Sequence, residues 1–404
     1  MKQIDYFQEA EKISQELAEY YRYLHQHPEL SRKEYNTQKW IMEKLKDWGV
    51  SCRPCADTGI YAIIDSGKSG RTIVLRADMD ALPVKEETEL TFSSVNDGVM
   101  HACGHDAHMT MLLGCIKILK EHQDQLHGKV VFFFQPSEEG LCGARRMLEE
   151  GVMEHPKVDL AVAIHVWPAQ SGAITCVSGP VMAQADLFRI DVKGKGGHGG
   201  VPHKAINPIP ALAAMVPMIE RIPSMVLSPF QPVVVNVCHL TSGERFNVIP
   251  ETGYLQGTIR SYNPEVRQTI IEQLEKIAKE AGIPYGVEGV YSMEPGVPPT
   301  INDEDAAKWA AEVLKSKLPN AKIITEAEPA TYAEDFSEFA KHAPIVYMAL
   351  GAWNKEKDKQ YSLHNSRFQI DESALALGVS AFCVLADEFC RSGDNEHYAK
   401  DRKI

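Results

Sequence analysis

Between residues 60 and 164 of this 404-residue chain, strand-sized apolar runs are separated by helix-sized amphipathic ones. The strand-like segments are 60–65, 72–76, 129–134 and 158–164, and they are apolar almost throughout. A strand with no polar face must be buried on both faces. In a strand–helix alternation, that means a mainly parallel sheet lying between helices. The helix expected over 106–122 repeats Met109, Leu112, Leu113, Ile116 and Leu119 at helical spacing. Further helices are expected over 5–27, 37–48 and 144–150, the second ended by Gly49.

The texture changes near residue 184. Residues 188–192 alternate like a half-exposed strand and run into the glycine-rich GKGGHGG. A helix over 208–221, strands over 233–239 and 253–260, and a helix over 264–281 follow. This is the order of a ferredoxin-like α+β unit. The proline-rich stretch 294–300 reads as the return crossing. A helix over 304–317, a strand over 345–350 and a helix over 373–389 then resume the first texture. The expected architecture is an α/β domain over 1–184 and 297–404, interrupted by an inserted domain over 185–296. A chain of this length is too long for one ordinary core.

Polar residues fall where these strands end. The run 72–76 leads into Asp78-Met-Asp80, 129–134 leads into Gln-Pro-Ser-Glu138-Glu139, and 158–164 leads into His165. The carboxyl ends of strands in an open α/β sheet line the ligand crevice. His101-Ala-Cys103-Gly-His105-Asp106-Ala-His108 precedes a helix, and Leu363-His364-Asn365 follows a strand. A lone histidine, a Glu-Glu pair or a buried cysteine each has an ordinary structural explanation. One thiol, three imidazoles and a carboxylate within eight residues do not, and such donors suit a first-row divalent ion. Of two adjacent carboxylates, one can bind metal while the other takes a proton from water.

Other signals are weaker. Cys52-Arg-Pro-Cys55 has no second CxxC, so it reads as surface thiols. No GxSxG serine elbow is present. Gly194–Gly199 satisfies GxGxxG after a strand, which makes a nicotinamide-dependent dehydrogenase the alternative from another class. That loop needs a helix starting at its last glycine, and Pro202 and Pro208 delay one. A net charge of −13 disfavours nucleic acid as a partner. No apolar run reaches membrane-spanning length, and the N-terminus lacks a signal-peptide core. Nine scattered cysteines read as free thiols in a reducing cytoplasm.

RADMDALP, HACGHDAH, QPSEEG, HVWP, GKGGHGGVPH, NVIPE, GTIR, AEDFS and LHN occur in that order from residue 76 to 365. Together they resemble the metal-dependent aminoacylase and carboxypeptidase family that contains hippurate hydrolases, N-acyl-amino-acid deacylases and auxin-conjugate amidohydrolases. The resemblance implies Cys103, His105, Glu139, His165 and His364 as ligands of two divalent ions, zinc or manganese. It implies Glu138 as general base, His198 and Asn247 as holders of the scissile carbonyl, Arg260 as partner of a substrate carboxylate, and Asp80 as a residue orienting a ligand. It also implies that the inserted domain is a lid and a dimerisation domain, with His198 acting in its own subunit or across the dimer. The reaction expected is hydrolysis of the amide bond of a small N-acylated amino acid or a short peptide, with carboxypeptidase or dipeptidase action as the alternative. This chain departs from the family's usual sequence at Asn207 before Pro208, at Ala333 before EDFS, and at Asn365-Ser366-Arg367-Phe368.

Overall fold

The computed structural model describes residues 4–353 and 360–392, which form two compact units. Of the described residues, the larger comprises 4–181, 301–328, 335–353 and 360–392. Its eight-stranded sheet runs Ser51–Cys55, Gly59–Asp65, Lys129–Gln135, Thr72–Asp78, Leu160–Gln170, Ile345–Trp353, Ala173–Thr175, Lys322–Ile324. The four central strands, from Lys129–Gln135 to Ile345–Trp353, are mutually parallel, and antiparallel pairs lie toward both edges.

Those central strands are the apolar runs, and Thr72–Asp78 is buried at every position. The helix His105–Glu121 is buried on nearly all sides, so it packs between other layers instead of lying on the surface. It lies against the equally apolar helix Ala374–Arg391. The approach is close because Gly378 has no side chain: a Cβ there would lie 1.9 Å from Met111 Sδ. The expected helix 5–27 is two helices, Tyr6–Lys12 and Ser14–Gln26, with Ile13 between them. The strand expected to stop at 164 continues to Gln170, because Ile345–Trp353 pairs alongside it as far as Trp353 opposite Gln170. His165 therefore lies within a strand.

The smaller unit comprises 182–300 and 329–334. Its four-stranded antiparallel sheet is ordered Val234–Ser242, Thr252–Ser261, Gln184–Lys193, Glu288–Glu294. Helices Pro208–Glu220 and Pro264–Glu280 complete a ferredoxin-like βαββαβ unit. Phe188, Ile190 and Val192 alternate inward and pack with Leu212, Met215, Ile270 and Leu274. Asn207 does the work of an aspartate: its side chain accepts the Ile209 N–H at 3.1 Å and caps the first helix. Residues 329–334, expected in the larger domain, belong here because the Ala330 carbonyl accepts bonds from the Ala183 N–H and the Tyr262 hydroxyl.

Candidate metal centre

Four segments of the larger unit bring their donors together. Gly104 ends the HACG turn at φ +85°, and a Cβ there would strike Val166 Cγ2 at 2.3 Å. That turn buries Cys103 and starts the helix at His105. Asp80 holds the second segment: its two carboxylate oxygens accept the N–H groups of Glu138 and Glu139, each at 3.0 Å, and Ser31 Oγ at 2.6 Å. The Glu-Glu pair is thus fixed in a tight turn, with φ +54° at Ser137, ahead of the helix that starts at Gly143. His165 comes from the strand. His364 adopts φ +65°, an uncommon conformation for a side-chain-bearing residue, and its N–H is tied to the Ala102 carbonyl at 2.8 Å.

The side-chain atoms fall into overlapping groups. Cys103, Glu139 and His364 each offer a donor atom within 4.8 Å of the others, as do His105, Glu138 and Glu139. A third group is Asp78, His105, His108 and His165. Cys103 Sγ lies 3.5 Å from His165 Nε2, and Glu139 Oε1 lies 3.2 Å from His364 Nε2. Two imidazoles are oriented by the backbone: His105 Nδ1 donates to the Asp80 carbonyl at 2.7 Å and His165 Nδ1 to the Val166 carbonyl at 2.6 Å. Their Nε2 atoms are left pointing into the cluster, the arrangement expected of ligands oriented by a second hydrogen bond.

The electrostatics call for a cation. Burial and the carboxylates of Glu139, Glu138 and Asp78 hold the Cys103 thiol well above its ordinary pKa. Burial opposes protonation of His105, but Asp78 and Asp80 outweigh it and push the pKa up to about 10. Burial together with His108 drives His165 well below the usual imidazole range. His105 Nε2 is buried without a hydrogen-bond partner among the described residues, and Glu139 Oε1 has none of hydrogen-bond geometry. A buried imidazole nitrogen without a partner, a thiol raised by burial and carboxylates, and a buried carboxylate oxygen are a fitting set for divalent ions, which would take the place of the proton on His105.

The remaining candidates lie in the smaller unit. His198 and Asn247 are exposed neighbours: His198 pairs with Val248 in a two-stranded ribbon, and the Asn247 carbonyl accepts the Gly199 N–H at 2.8 Å. Arg260 is half-buried, with Nε on the Thr331 carbonyl at 3.0 Å and Nη1 on Thr258 Oγ1 and the Ile259 carbonyl. Burial pushes its pKa down. The glycine loop does not support the dehydrogenase alternative. Gly197–His198 is strand, a 3-10 turn covers Pro202–Lys204, and the helix starts only at Pro208, so it does not begin at the loop's last glycine as a pyrophosphate-binding turn requires. Sequence reasoning did not single out Asp78, Arg76 or His108 as site residues. The visible signals were an aspartate at a strand end and a second histidine three residues after His105 on one helix face.

Comparison with known proteins agrees with this geometry. Residues 74–388 match the model of peptidase family M20/M25/M40. A thermostable carboxypeptidase of Saccharolobus solfataricus is 40% identical over 91% of this chain and 94% of its own. An N-acetyl-L-cysteine deacetylase of Bacillus subtilis is 34% identical over 88% of this chain and 83% of its own. Among solved structures, the Bacillus subtilis YXEP protein, a dinuclear metal-binding peptidase of the M20 family, superposes with a TM-score of 0.83. It is 31% identical, with 94% of this chain and 99% of that one covered. With the family model matched over residues 74–388 and relatives of 34% and 40% identity covered over most of their length, this chain belongs to peptidase family M20/M25/M40.

Proposed function

We propose that this protein is a metal-dependent amidohydrolase that releases the acyl group from small N-acylated amino acids. The observation that carries the reading is the meeting of two donor groups on Glu139 beside a second carboxylate, Glu138. Cys103, Glu139 and His364 would hold one divalent ion, and His105 and His165 a second, with Glu139 near both sets. When bound, such ions acidify water and polarise the scissile carbonyl. Glu138, whose Oε2 lies 4.0 Å from His105 Nε2, takes the proton from the attacking water and returns it to the leaving amine. Asp80 keeps that carboxylate in place through the Glu138 N–H. His198 and Asn247 bind the scissile carbonyl, and Arg260 pairs with the substrate's α-carboxylate.

Cleavage of short peptides from the carboxyl end is the second reading, favoured by the relative named a carboxypeptidase. The smaller unit is proposed to close over substrate and to join two copies. In support of pairing, its edge strand Val234–Ser242 and the adjoining turns expose Val234, Leu240, Phe230 and Phe246. A cytoplasmic location is in keeping with nine free thiols and with the absence, among the described residues, of any helix long and apolar enough to cross a membrane.

The deciding experiment is chelation followed by reconstitution. Stripped protein should be inactive, and zinc or manganese should restore hydrolysis of N-acetyl or N-benzoyl amino acids. Full activity in metal-free protein would reject the reading. Faster cleavage of dipeptides than of every acyl amino acid in the panel would favour the peptidase.

A further inference from the structure

His108 lies in the same eight-residue run as Cys103 and His105, yet both of its ring nitrogens are engaged within the protein. Nδ1 is 2.5 Å from Asp78 Oδ1, and Nε2 accepts the Val166 N–H at 2.8 Å. A backbone N–H can only donate and an ionised carboxylate can only accept. The ring proton therefore resides on Nδ1, and the Nε2 lone pair is spent on the backbone. The geometry of strand pairing explains why Val166 needs this partner. The strand Leu160–Gln170 pairs with Thr72–Asp78 only as far as Arg76 opposite Ala163, so His108 takes the place of a missing strand acceptor. The carbonyl of the same residue orients His165.

Behind His108 the bonds continue. Asp78 Oδ2 accepts from Arg76 Nη1 at 2.7 Å. Arg76 Nε donates to Gln135 Oε1 at 2.9 Å, and Nη2 to Asp335 Oδ1 at 3.3 Å. Gln135 Nε2 also donates to Asp335 Oδ1, at 2.6 Å, and the Ala144 N–H donates to Asp335 Oδ2 at 3.0 Å. Arg76, Asp78, His108, Gln135 and Asp335 are all 2% exposed or less. A buried network of this kind tolerates one arrangement, because losing a partner strands a polar or charged group without water.

We propose that His108 is a positioning residue and not a metal donor, and that the buried chain Asp335–Arg76–Asp78–His108 fixes Val166 and thereby aims His165. The proposal rests on the reading of His165 as a donor. It is tested by stripping the protein, titrating zinc back against a chromogenic chelator, and comparing His108→Leu, His108→Gln and Arg76→Lys with the parent, with circular dichroism as the check on folding. A glutamine amide offers one donor and one acceptor, so it can bridge Asp78 and Val166 as the imidazole does. In His108→Leu one of two ions should weaken by about 10–100-fold, the usual cost of losing a group that orients a ligand, while the other stays within about threefold. His108→Gln should retain both ions. Arg76→Lys keeps the charge but loses the fork across Gln135 and Asp335, and it should weaken the same ion.

Parent-like affinity for both ions in His108→Leu would overturn the proposal. So would a loss in His108→Gln as large as in His108→Leu, which would make His108 a donor itself. If His108→Leu does not fold, Arg76→Lys decides: selective weakening supports the relay and unchanged binding rejects it. Parent protein that binds no zinc would instead reject the metal reading of the whole site.

Discussion

In the larger unit Cys103, His105 and His165 are buried, and each imidazole has its outer nitrogen tied to a backbone carbonyl. In the smaller unit His198 and Asn247 are exposed, and the His198 ring accepts the Gly200 N–H two residues further on. The difference follows from what each set is proposed to hold. Donors to an ion are best fixed before it arrives, since an ion gains little from ligands that must first be ordered; even the exposed His364 is held, by its N–H on the Ala102 carbonyl. Groups that meet a substrate from a lid stay in water until the lid closes. On the proposed roles, the larger unit would supply a preorganised charge, and the smaller one hydrogen bonds that form late.

The comparison breaks most sharply at Glu138. Glu138→Gln keeps the turn on Asp80, because the bonds are made by the backbone N–H groups. Turnover should fall by about 10²–10⁴-fold, the range for loss of a general base, while metal content measured by mass spectrometry stays unchanged. Near-normal turnover would place the base elsewhere, and loss of metal would mean that Glu138 and Glu139 have exchanged roles. Next in size is His198→Ala. Removing one donor to a developing oxyanion costs about 10²–10³-fold in kcat, and KM and metal content should move little. Loss of metal in that variant would erase the division of labour between the units. Mixing His198→Ala with Glu138→Gln protein separates action across a dimer, which recovers activity, from action within one subunit, which does not.

Much of the larger unit could be read from sequence because its rules are local. Apolar runs announced the strands, and Asp78, Glu138, Glu139 and His165, which follow those runs, fall into the overlapping donor groups. Cys103, His105, Glu138 and Glu139 lie within turns whose glycines and strained residues are close in sequence. What could not be read is pairing across distance. Arg76 and Asp335 are 259 residues apart, and nothing near either one announces the other. The same holds for the departure after His364. Ser366 and Arg367 fit here because Glu87 meets them: its N–H donates to the Ser366 carbonyl at 2.7 Å, and its carboxylate accepts from Ser366 Oγ at 3.0 Å and lies 3.5 Å from Arg367 Nε. In the smaller unit, exposed residues such as His198 and Asn247 leave no burial pattern in the sequence, and only the family resemblance singled them out.

Arg260 occupies the middle ground, half-buried and held by the Thr331 and Ile259 carbonyls. If it reads the α-carboxylate, Arg260→Ala should lower kcat/KM for an acyl amino acid by about 10–100-fold, the worth of one charge-assisted hydrogen-bonded pair. The loss on the corresponding amino acid amide should be clearly smaller. Equal losses on acid and amide would reduce Arg260 to a structural tie within the smaller unit.

The smallest expected effect is on stability instead of rate, and it comes from a histidine outside the donor set. His25 is buried, and its ring lies between Asp106 Oδ2 at 2.7 Å and Glu86 Oε1 at 3.0 Å. Burial opposes its protonation, but the two carboxylates prevail and raise its pKa to about 9. A group raised on folding contributes stability that is complete below its unfolded value of about 6.5 and is lost as pH rises through the folded value. Between pH 7 and 9.5, the chelated parent protein should lose a few degrees of Tm that His25→Gln does not lose. The His25→Gln protein should also start lower at pH 7, because two buried carboxylates then lack their shared cation. A flat parent profile over that range would mean that His25 is neutral and that one of Asp106 and Glu86 is protonated and donates to its ring.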